Sequence, residues 1–482
     1  MAELTRMRRK LQNCEQEHLL TFWDELGAAA QDALLEQLET VNFEQLRDYI
    51  EQFSSEAPLG FEHTDVAPPP VLPHKPVTAE QAEFYQQAKD RGNQLLAEGA
   101  VAACVVAGGQ GTRLGFDGPK GCFQATPVAK KPLFQVFAEQ IQAASNRSGK
   151  AIPWYIMTSR TNDTQTKAFL RRNHYFGLEP DNVRCFRQGA MPAIGLDGKL
   201  LLKSKGSLAM SPDGHGGILP ALRKSGSLDD MAARGAALIS YFQVDNPMVR
   251  CIDPLFIGLH DLHGSEMSAK ALPKRDPMEK LGNFCVVDGK TSVIEYSDMP
   301  DELAMCTNDQ GFLKFSAGSI AIHILNRSFV ERLTKDGGCS LPFHRAEKKV
   351  PHIDATGKKI TPDQFNAIKL EMFVFDALSL ADKTLILETQ RDEEFSPIKN
   401  AEGLDSPMTC LHHQVRRAAN WLEEAGVDLP LDADGQVAAA IEISPLFADS
   451  AEELAAKLEP GLTIASGQQL YLGSRGQIGG TK

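Results

Sequence analysis

The chain has 482 residues, of which 42% are hydrophobic and 23% charged, as expected for an ordinary globular protein of about two to four domains. This composition excludes a collagen, a disordered tail and a small disulfide-stapled protein. The formal net charge of -13 argues against duplex nucleic acid or an anionic membrane as a partner, although a locally basic pocket could still take a small phosphorylated substrate.

The first 60 or so residues predict helices. Apolar residues between 19 and 26 and between 34 and 41 recur near helical spacing, and Asn42 with Gln45 resembles a capping box that starts another helix. Five prolines between residues 65 and 77 predict an extended linker, and Thr78 with Gln81 predicts a helix running to about residue 98. Residues 1–75 are therefore predicted to be a helical region ending in a proline-rich linker.

From Val101 the pattern changes to buried strands. VAACVVAGG is a continuous apolar run that ends in glycines, as a buried parallel strand does at its turn. Further strand-like runs follow at 154–158, 183–186, 237–244, 316–324 and 384–387. Helical stretches separate several of them, which predicts an α/β fold with a mostly parallel sheet. Asp288-Gly289 between β-branched residues predicts an inserted hairpin.

The end of the chain predicts a smaller unit. Helical patterns at 411–425 and 450–458 precede a short strand-like run at 470–472. We therefore expect a central domain over 76–390 and a small C-terminal domain over 391–482.

The strongest local motif is GGQGTRLG followed by PKG. Gly108, Gly109 and Gly111 directly follow a buried strand, where bare backbone can approach a ligand with its N–H groups, and a helix starting there would add its dipole. Arg113 and Lys120 place two cations beside these glycines, as binding of a triphosphate and departure of pyrophosphate require. The alternative is a structural turn with two solvated cations.

Two further segments carry candidate ligand contacts. YFQVDN puts Asp245 at the carboxyl edge of a strand, where one carboxylate is a natural ligand for Mg²⁺ that also binds substrate phosphates. SPDGHGG is a second glycine-rich loop, whose glycines suggest backbone close to a flat ligand and whose His215 could contact it. For Asp245 the alternative is a residue that only opens a turn, and for SPDGHGG it is a plain surface loop. Both alternatives stay open.

Late lysines are ambiguous by themselves. Lys369 in IKLE precedes an apolar strand-like run with Phe373 and Phe375, and Lys399 lies in the turn-rich EEFSPIKN. Each is more typical of a surface charge. Nine cysteines without a CxxC pattern indicate reduced thiols, and the first residues lack the apolar core of a signal peptide. We expect a cytoplasmic protein without a membrane span; the sequence makes no prediction of oligomeric state.

Together these segments resemble the UDP-sugar pyrophosphorylases, which are UTP:sugar-1-phosphate uridylyltransferases. The similarity runs in order over about residues 75–415, through VVAGGQGTRLGFDGPKG, SPDGHGG, FQVDNPMVRCIDPLFIG, VIEYSDM, IKLEMFVFD and EEFSPIKN, and is strongest to the eukaryotic-type UDP-N-acetylglucosamine pyrophosphorylases. It implies a Rossmann-like nucleotidyltransferase fold, with a central mixed sheet flanked by helices and small N-terminal helical and C-terminal domains. It also implies a Mg²⁺-dependent reaction of UTP with a sugar 1-phosphate that gives a UDP-sugar and pyrophosphate.

The resemblance assigns roles to individual residues. For the nucleotide it implies Gly108, Gly109, Gly111, Lys120, Gln188, Gly214 and Lys369, with Gln188 and Gly214 at the uracil edge. For the sugar phosphate it implies His215, Asp245, Glu295, Ser319 and Lys399, with Asp245 also the metal ligand. The charges that act in catalysis would be those of Arg113, Lys120 and Lys399. Such a site needs no protein nucleophile, because the sugar phosphate is itself the nucleophile and catalysis is in-line positioning plus charge stabilisation.

Two positions depart from the acetylglucosamine branch. The family's acetylglucosamine enzymes have asparagines where this chain has His215 and Ser319, whereas the glucose-type enzymes have a histidine after the loop glycine, as here. The preferred sugar is therefore expected to be N-acetylglucosamine 1-phosphate, with a glucose/galactose-type or a broad-specificity enzyme as the alternative.

Two other classes of protein fit less well. A dinucleotide-dependent oxidoreductase would need a third glycine where Leu114 stands. A catalytically inactive scaffold is disfavoured because Arg113, Lys120, Asp245 and Lys399 are all present.

Overall fold

The computed structural model describes residues 2–55, 65–335 and 338–473. The chain divides into two compact units, called the N-terminal unit (1–62, 188–218 and 340–376) and the larger unit (63–187, 219–339 and 377–482). The boundaries expected near residues 75 and 390 stay predictions. Residues 56–60, which the sequence assigns to the N-terminal helices, lie outside the described residues.

The helices begin and end as follows in chain order: α1 Ala2–Asn13, α2 Ala28–Glu39, α3 Phe43–Ser55, α4 Ala79–Glu98, α5 Leu133–Ser148, α6 Asp163–Arg172, α7 Ile218–Lys224, α8 Ser227–Ala233, α9 Pro254–His263, α10 Asp301–Ala304, α11 Arg327–Leu333, α12 Ala377–Leu380, α13 Arg391–Glu394, α14 Pro407–Glu424 and α15 Ala451–Lys457. Helix α4 begins as its sequence predicts: the Thr78 side chain caps it by accepting a hydrogen bond from Gln81 N–H.

The strands are, in chain order, β1 Val66–Ala67, β2 Val101–Val106, β3 Trp154–Thr158, β4 Val183–Arg187, β5 Ala190–Pro192, β6 Ile194–Gly195, β7 Leu202–Ser204, β8 Ser207–Leu208, β9 Met210–Pro212, β10 Leu238–Gln243, β11 Met267–Pro273, β12 Gly282–Val287, β13 Lys290–Ile294, β14 Ala317–Asn326, β15 His344–Lys348, β16 His352–Ile353, β17 Lys359–Ile360, β18 Ala367–Glu371, β19 Thr384–Glu388, β20 Ala440–Ile443 and β21 Gln469–Leu472. The strand predicted from Val101 is present, and those predicted at 154–158, 183–186, 237–244, 316–324 and 384–387 lie within two residues of their expected bounds, which confirms the α/β fold.

A mixed sheet of ten strands forms the centre of the larger unit. Its main path is β1-β12-β14-β10-β2-β3-β4, with β11 joining β14 to β19 and β13 pairing with β12. Strands β10, β2, β3 and β4 run parallel. Nearly all side chains of β10, β2 and β3 are buried because helices cover the sheet, whereas those of β4 are mostly half-buried. The carboxyl ends of these strands therefore meet at one edge, where open α/β sheets bind ligands.

Strand β14 changes its neighbour part-way along. Its residues 323–326 pair with β10, and its residues 318 and 319 pair with β12. Between them Ala321 has φ +56°, and the register with β11 shifts. The predicted hairpin is confirmed as β12 and β13, joined by Asp288 and Gly289, both with positive φ as a tight hairpin turn requires.

The N-terminal helices belong to a core of their own unit. Leu34 and Leu38 of α2 pack with Leu200 and Leu370, which come from distant parts of the chain. The prediction of an α-helix across residues 19–26 was wrong. That stretch forms two short 3₁₀ turns, Glu17–Leu20 and Trp23–Glu25, which place Leu19 and Trp23 in the core.

The C-terminal elements are confirmed close to their predicted bounds and belong to the larger unit. Strands β20 and β21 pair in parallel, and α14 and α15 cover them around Trp421 and Leu454. The Glu442 carboxylate accepts hydrogen bonds from the backbone N–H groups of Val128 and Ala129, at 2.9 and 2.7 Å. Among the described helices, none combines the length and apolar character that crossing a bilayer requires.

Candidate functional site

The glycine-rich segment after β2 is a closed loop. No α-helix follows it directly: only the 3₁₀ turns Thr112–Leu114 and Lys120–Cys122 precede α5, which begins at Leu133. The helix that would have added its dipole to this loop therefore does not start there. Instead, the loop folds back on itself, since Gly111 N–H donates to Gly118 O at 2.9 Å and Lys120 N–H donates to Gly109 O at 3.1 Å.

Two glycines of this loop have different reasons to be glycine. At Gly111 a Cβ atom would lie 2.6 Å from the Phe116 ring, so a side chain there would have to displace that ring. At Gly109 a Cβ atom would meet nothing within 4 Å, and the backbone there has no positive φ. The missing side chain at Gly109 therefore leaves open space above an exposed turn, which a ligand can use. Gly108, beside it, is partly exposed.

The two cations of the loop lie in different environments. Arg113 is exposed, and within the described residues no carboxylate pairs with it. Lys120 is more enclosed, and its Nζ lies 3.8 Å from Asp245 Oδ2, with 16% of each side chain exposed. The fold thus brings the lysine of PKG to the carboxylate of VDN, 125 positions later in the sequence.

Asp245 occupies the position expected of it, directly beyond the carboxyl end of β10. Across the described parts of the chain, no three His, Cys, Asp or Glu side chains gather into a ready-made metal site. One partly exposed carboxylate beside the glycine-rich loop nevertheless fits Mg²⁺, which binds through one or two carboxylates together with substrate phosphates. All nine cysteines are free thiols.

The segment that carries Lys399 is attached to the same strand end. Ile398 N–H donates to the Asp245 carbonyl at 2.8 Å, which fixes the backbone next to Lys399. The Lys399 ammonium lies 4.0 Å from the Asp405 carboxylate and 5.9 Å from the centre of the Phe395 ring. Its side chain is 41% exposed and can turn toward a ligand.

Glu295 and Ser319 lie in neighbouring positions of the sheet. Ser319 of β14 is opposite Gly282 of β12, and the Glu295 carboxylate lies 3.5 Å from the place that a Cβ on Gly282 would occupy. The same Cβ would lie 2.6 Å from Val293 Cγ1, so close packing against Val293 explains the glycine. Glu295 and Ser319 are both partly exposed, so their polar groups can meet a ligand.

In the N-terminal unit, Gln188 and Gly214 contact each other directly. The Gln188 amide Nε2 donates to the Gly214 carbonyl at 2.7 Å. The amide therefore presents its oxygen as the remaining acceptor. Beside them Asp213 is buried, and burial raises the pKa of its carboxyl to about 6, which a hydrogen bond from Gln188 partly offsets.

The glycines of SPDGHGG have a packing explanation. Gly214 has φ +84°, and a Cβ there would lie 2.3 Å from the carbonyl oxygen of Met372. A Cβ on Gly217 would lie 2.0 Å from the Asp213 carboxylate. The idea that these glycines mark close approach of a flat ligand is thus not needed to explain them, and the uracil role of Gly214 stays a prediction.

His215 is held as a neutral imidazole. Its Nδ1 accepts a hydrogen bond from Val374 N–H at 3.2 Å, and its ring stacks on Phe373 with centroids 5.2 Å apart. Burial, with a smaller contribution from the nearby His344, lowers its pKa to about 4. Because Nδ1 is an acceptor, the ring proton is on Nε2, which is a donor.

Lys369 lies in β18, at the centre of the three-stranded sheet β15-β18-β6. It is partly exposed, and in the described chain no carboxylate pairs with it. The prediction of a strand through Phe373 and Phe375 was wrong: the strand ends at Glu371, and Val374–Asp376 forms a 3₁₀ turn. That turn supplies the backbone N–H that holds His215.

Sequence reasoning missed several buried polar residues next to the site. Asn162 and Asn246 are buried and bind main-chain groups of distant segments. Lys270, in the middle of β11, is paired with Asp253 and Glu394, each at 2.6 Å. Only Asn246 had a local signal, since it directly follows Asp245; the others are polar residues within apolar or turn-like stretches.

Comparison with known proteins identifies similar chains. The profile of the family described as UTP–glucose-1-phosphate uridylyltransferase matches residues 45–421. The human UDP-N-acetylhexosamine pyrophosphorylase-like protein 1 is 37% identical, over 95% of this chain and 96% of the relative. The UDP-N-acetylglucosamine pyrophosphorylase of Saccharomyces cerevisiae is 35% identical, over 85% of this chain and 89% of the relative.

A solved structure has a similar fold. The inhibitor-bound crystal structure of the uridine diphosphate N-acetylglucosamine pyrophosphorylase of Trypanosoma brucei superimposes with a TM-score of 0.77 at 27% identity. The alignment covers 95% of both chains.

Proposed function

The chain belongs to the UTP–glucose-1-phosphate uridylyltransferase family, and we propose that it makes UDP-N-acetylglucosamine and pyrophosphate from UTP and N-acetylglucosamine 1-phosphate. The uridylyltransferase activity follows from membership of the family. The identity of the sugar and the roles of single residues are the proposal. The observation that supports these roles best is the open turn at Gly109 beside the pair of Lys120 and Asp245, 3.8 Å apart.

The nucleotide phosphates bind over the loop of Gly108, Gly109 and Gly111. Open space above Gly109 supports this, because a phosphate can approach backbone N–H groups there without meeting a side chain. Arg113, which is exposed and has no acidic partner among the described residues, adds a second cation. Together with Lys120 it stabilises charge on the leaving pyrophosphate.

Mg²⁺ binds at Asp245. The carboxylate is partly exposed at the strand end and faces Lys120, so a metal held there is next to the same phosphates. Bound there, the metal would supply a Lewis acid for the charge of the phosphates. The Lys120 ammonium, which faces the same carboxylate, would then bind a phosphate oxygen, because two cations cannot share one carboxylate cheaply.

Uracil is read by Gln188 and Gly214. The Gln188 amide nitrogen is already used on the Gly214 carbonyl, which leaves its oxygen to accept the N3–H of the base. Lys369 binds the UTP phosphates, as the family resemblance implies.

The sugar phosphate binds through Lys399, Glu295 and Ser319. Lys399 is held by the backbone next to Asp245 and keeps its ammonium partly exposed, which suits an anion near the metal. Glu295 and Ser319, which both lie beside Gly282 and are partly exposed, offer sugar hydroxyls an acceptor and a donor. The sugar phosphate oxygen attacks the α-phosphorus of UTP, so no protein base is needed.

The sugar specificity depends on His215 and Ser319. An acetamido group whose amide is buried without a partner costs about 1–3 kcal/mol, so the enzyme must offer it donors or acceptors. His215 offers only a donor at Nε2, because Nδ1 is used on Val374. We therefore expect glucose 1-phosphate and galactose 1-phosphate to compete with the acetylated substrate, and the histidine supports a glucose-type enzyme as the second candidate.

The test is release of pyrophosphate from UTP with Mg²⁺ and each of three sugar 1-phosphates: N-acetylglucosamine, glucose and galactose. The expected result is the highest kcat/KM for the acetylated sugar with measurable turnover of the others. A preference for glucose 1-phosphate above about tenfold, which is about 1.4 kcal/mol, replaces the first candidate by the second. The double variant His215→Asn with Ser319→Asn should then shift selectivity toward the acetylated sugar. If the ratio stays constant, these two residues do not contact the sugar.

A further inference from the structure

Two buried asparagines lie beyond the carboxyl ends of strands of the central sheet. Asn162 follows β3 and is fully buried, and Asn246 follows β10 and is 5% exposed. Strand β2 lies between these two strands in the sheet. Each asparagine uses both ends of its amide on main-chain groups, and in each case one end binds a segment remote in the sequence.

Asn162 binds the glycine-rich loop. Its Nδ2 donates to the carbonyls of Ala107 and Gly109, at 2.9 and 3.2 Å, and its Oδ1 accepts from Ser159 N–H at 2.8 Å. The Gly109 carbonyl also accepts from Lys120 N–H. One side chain thus fixes the open turn at Gly109 and, through that turn, the backbone of Lys120.

Asn246 binds the segment that leads to Lys399. Its Nδ2 donates to the Glu394 carbonyl at 2.6 Å, and its Oδ1 accepts from Ser396 N–H at 3.1 Å. With the bond from Ile398 to the Asp245 carbonyl, these contacts lay the segment 394–398 along the strand end.

The segment is anchored at its other side by charge. The Glu394 carboxylate accepts from the buried Lys270 ammonium at 2.6 Å and from the Thr389 hydroxyl at 2.5 Å. The Glu394 side chain is therefore fixed from the sheet, while its main chain is fixed by Asn246. The two contacts together leave the segment little freedom, and Lys399 begins directly after it.

We propose that Asn162 and Asn246 are separate positioning residues, Asn162 for the nucleotide loop and Asn246 for the segment that carries Lys399. The inference rests on the proposed function, because it divides the two asparagines between UTP and the sugar 1-phosphate. Neither side chain is exposed, so neither reaches substrate; each acts through the backbone that it holds. An amide is suited to this role because it offers a donor and an acceptor to backbone groups that would otherwise be buried without partners.

The experiment compares Asn162→Ala with Asn246→Ala by steady-state kinetics. We expect Asn162→Ala to raise KM for UTP at least tenfold and KM for the sugar 1-phosphate less than threefold. Asn246→Ala should show the opposite pattern. Asn326→Ala is the matched control, because the Asn326 amide also donates to a backbone carbonyl, that of Ser265 at 2.9 Å. Asn326 lies at the opposite end of β14 from Ser319. Both KM values of this variant should therefore match those of the wild type. Equal changes of both KM values in each variant would overturn the inference while the proposed function stands.

A second readout needs no turnover. Hydrogen–deuterium exchange of the ligand-free proteins should rise in residues 107–122 of Asn162→Ala and in residues 394–400 of Asn246→Ala, each without change in the other segment. This readout decides the inference even if the wild type released no pyrophosphate, a result that would overturn only the proposed function. Where an alanine variant does not fold, the serine variant at the same position replaces it. Failure of both to fold would make that asparagine a determinant of folding and overturn its positioning role.

Discussion

Replacing Lys120 by alanine should slow turnover and at the same time tighten metal binding. The Lys120 ammonium lies 3.8 Å from Asp245 Oδ2, so one cation already neutralises the carboxylate that we assign to Mg²⁺. Turnover falls because the ammonium is lost where charge develops on the pyrophosphate. Metal binding tightens because no ammonium has to leave the carboxylate first.

The size of each effect follows from the environment of the pair. Loss of one preorganised cation from a developing charge lowers kcat by about 10²–10³. Two unit charges 3.8 Å apart attract by about 4 kcal/mol at an effective dielectric constant of 20. Solvent and the side-chain entropy of lysine reduce this to about 1 kcal/mol for a partly exposed pair. The metal dissociation constant should therefore fall by about fivefold.

Both effects can be measured separately. Initial rates of pyrophosphate release at saturating UTP give kcat, and Mn²⁺ titration of the nucleotide-free protein followed by electron paramagnetic resonance gives metal affinity. Lys120→Arg should not restore kcat, because a planar guanidinium does not replace a compact ammonium. A variant that keeps its kcat and only raises KM for UTP would refute the transition-state role. Unchanged Mn²⁺ affinity would refute the competition for Asp245.

Three further predictions concern single substitutions. Gly109→Ala should keep the melting temperature and weaken UTP binding, because its Cβ meets only open space in the free protein. Gly111→Ala should lower the melting temperature by a few degrees, because its Cβ clashes with Phe116. Thermal unfolding and nucleotide titration of both variants check this, and equal melting temperatures would contradict it. Asp245→Asn should remove most turnover at saturating Mg²⁺ without changing the circular dichroism spectrum, and wild-type rates would exclude its metal role. Asp213→Asn should raise the free energy of unfolding near pH 7 by up to about 3 kcal/mol. The folded-state pKa of the Asp213 carboxyl, about 6, exceeds its value in the unfolded chain. The contribution of this carboxyl to stability is therefore present below about pH 4 and is lost as the pH rises to about 6. Urea unfolding between pH 4 and 8 measures it, and parallel pH profiles for variant and wild type would contradict the cause.

The local pattern predicted most of the central sheet. Strands β2, β3 and β10 are largely apolar runs, and such runs are buried on both faces wherever the sheet is covered by helices. The hairpin of β12 and β13 was equally readable, because Asp288-Gly289 suits a turn with two positive φ angles. These features depend on neighbours within about ten residues.

The candidate site was predicted in part. The glycine-rich motif and Asp245 could be singled out because their residue types match phosphate and metal chemistry. Lys399 by itself is typical of a surface charge and became a candidate only through the family resemblance. The mutual arrangement of these residues could not be predicted. The 3₁₀ turns after Gly111 depend on backbone hydrogen bonds that close the loop on itself. Residues 19–26 form 3₁₀ turns instead of an α-helix, and their apolar side chains pack in a core built from three parts of the chain.

What the sequence determined by itself is therefore most strands of the central sheet and the chemistry of the motifs, because both follow from short-range periodicity and residue type. Tertiary structure alone decided which groups meet: Lys120 with Asp245, Asn162 with Gly109, and Asn246 with Glu394, the last pair separated by 148 positions. Each contact exists because strand pairing brings the carboxyl ends of distant strands to one edge of the sheet. Polar groups buried there must find partners across that edge, and no local pattern records which partner it is.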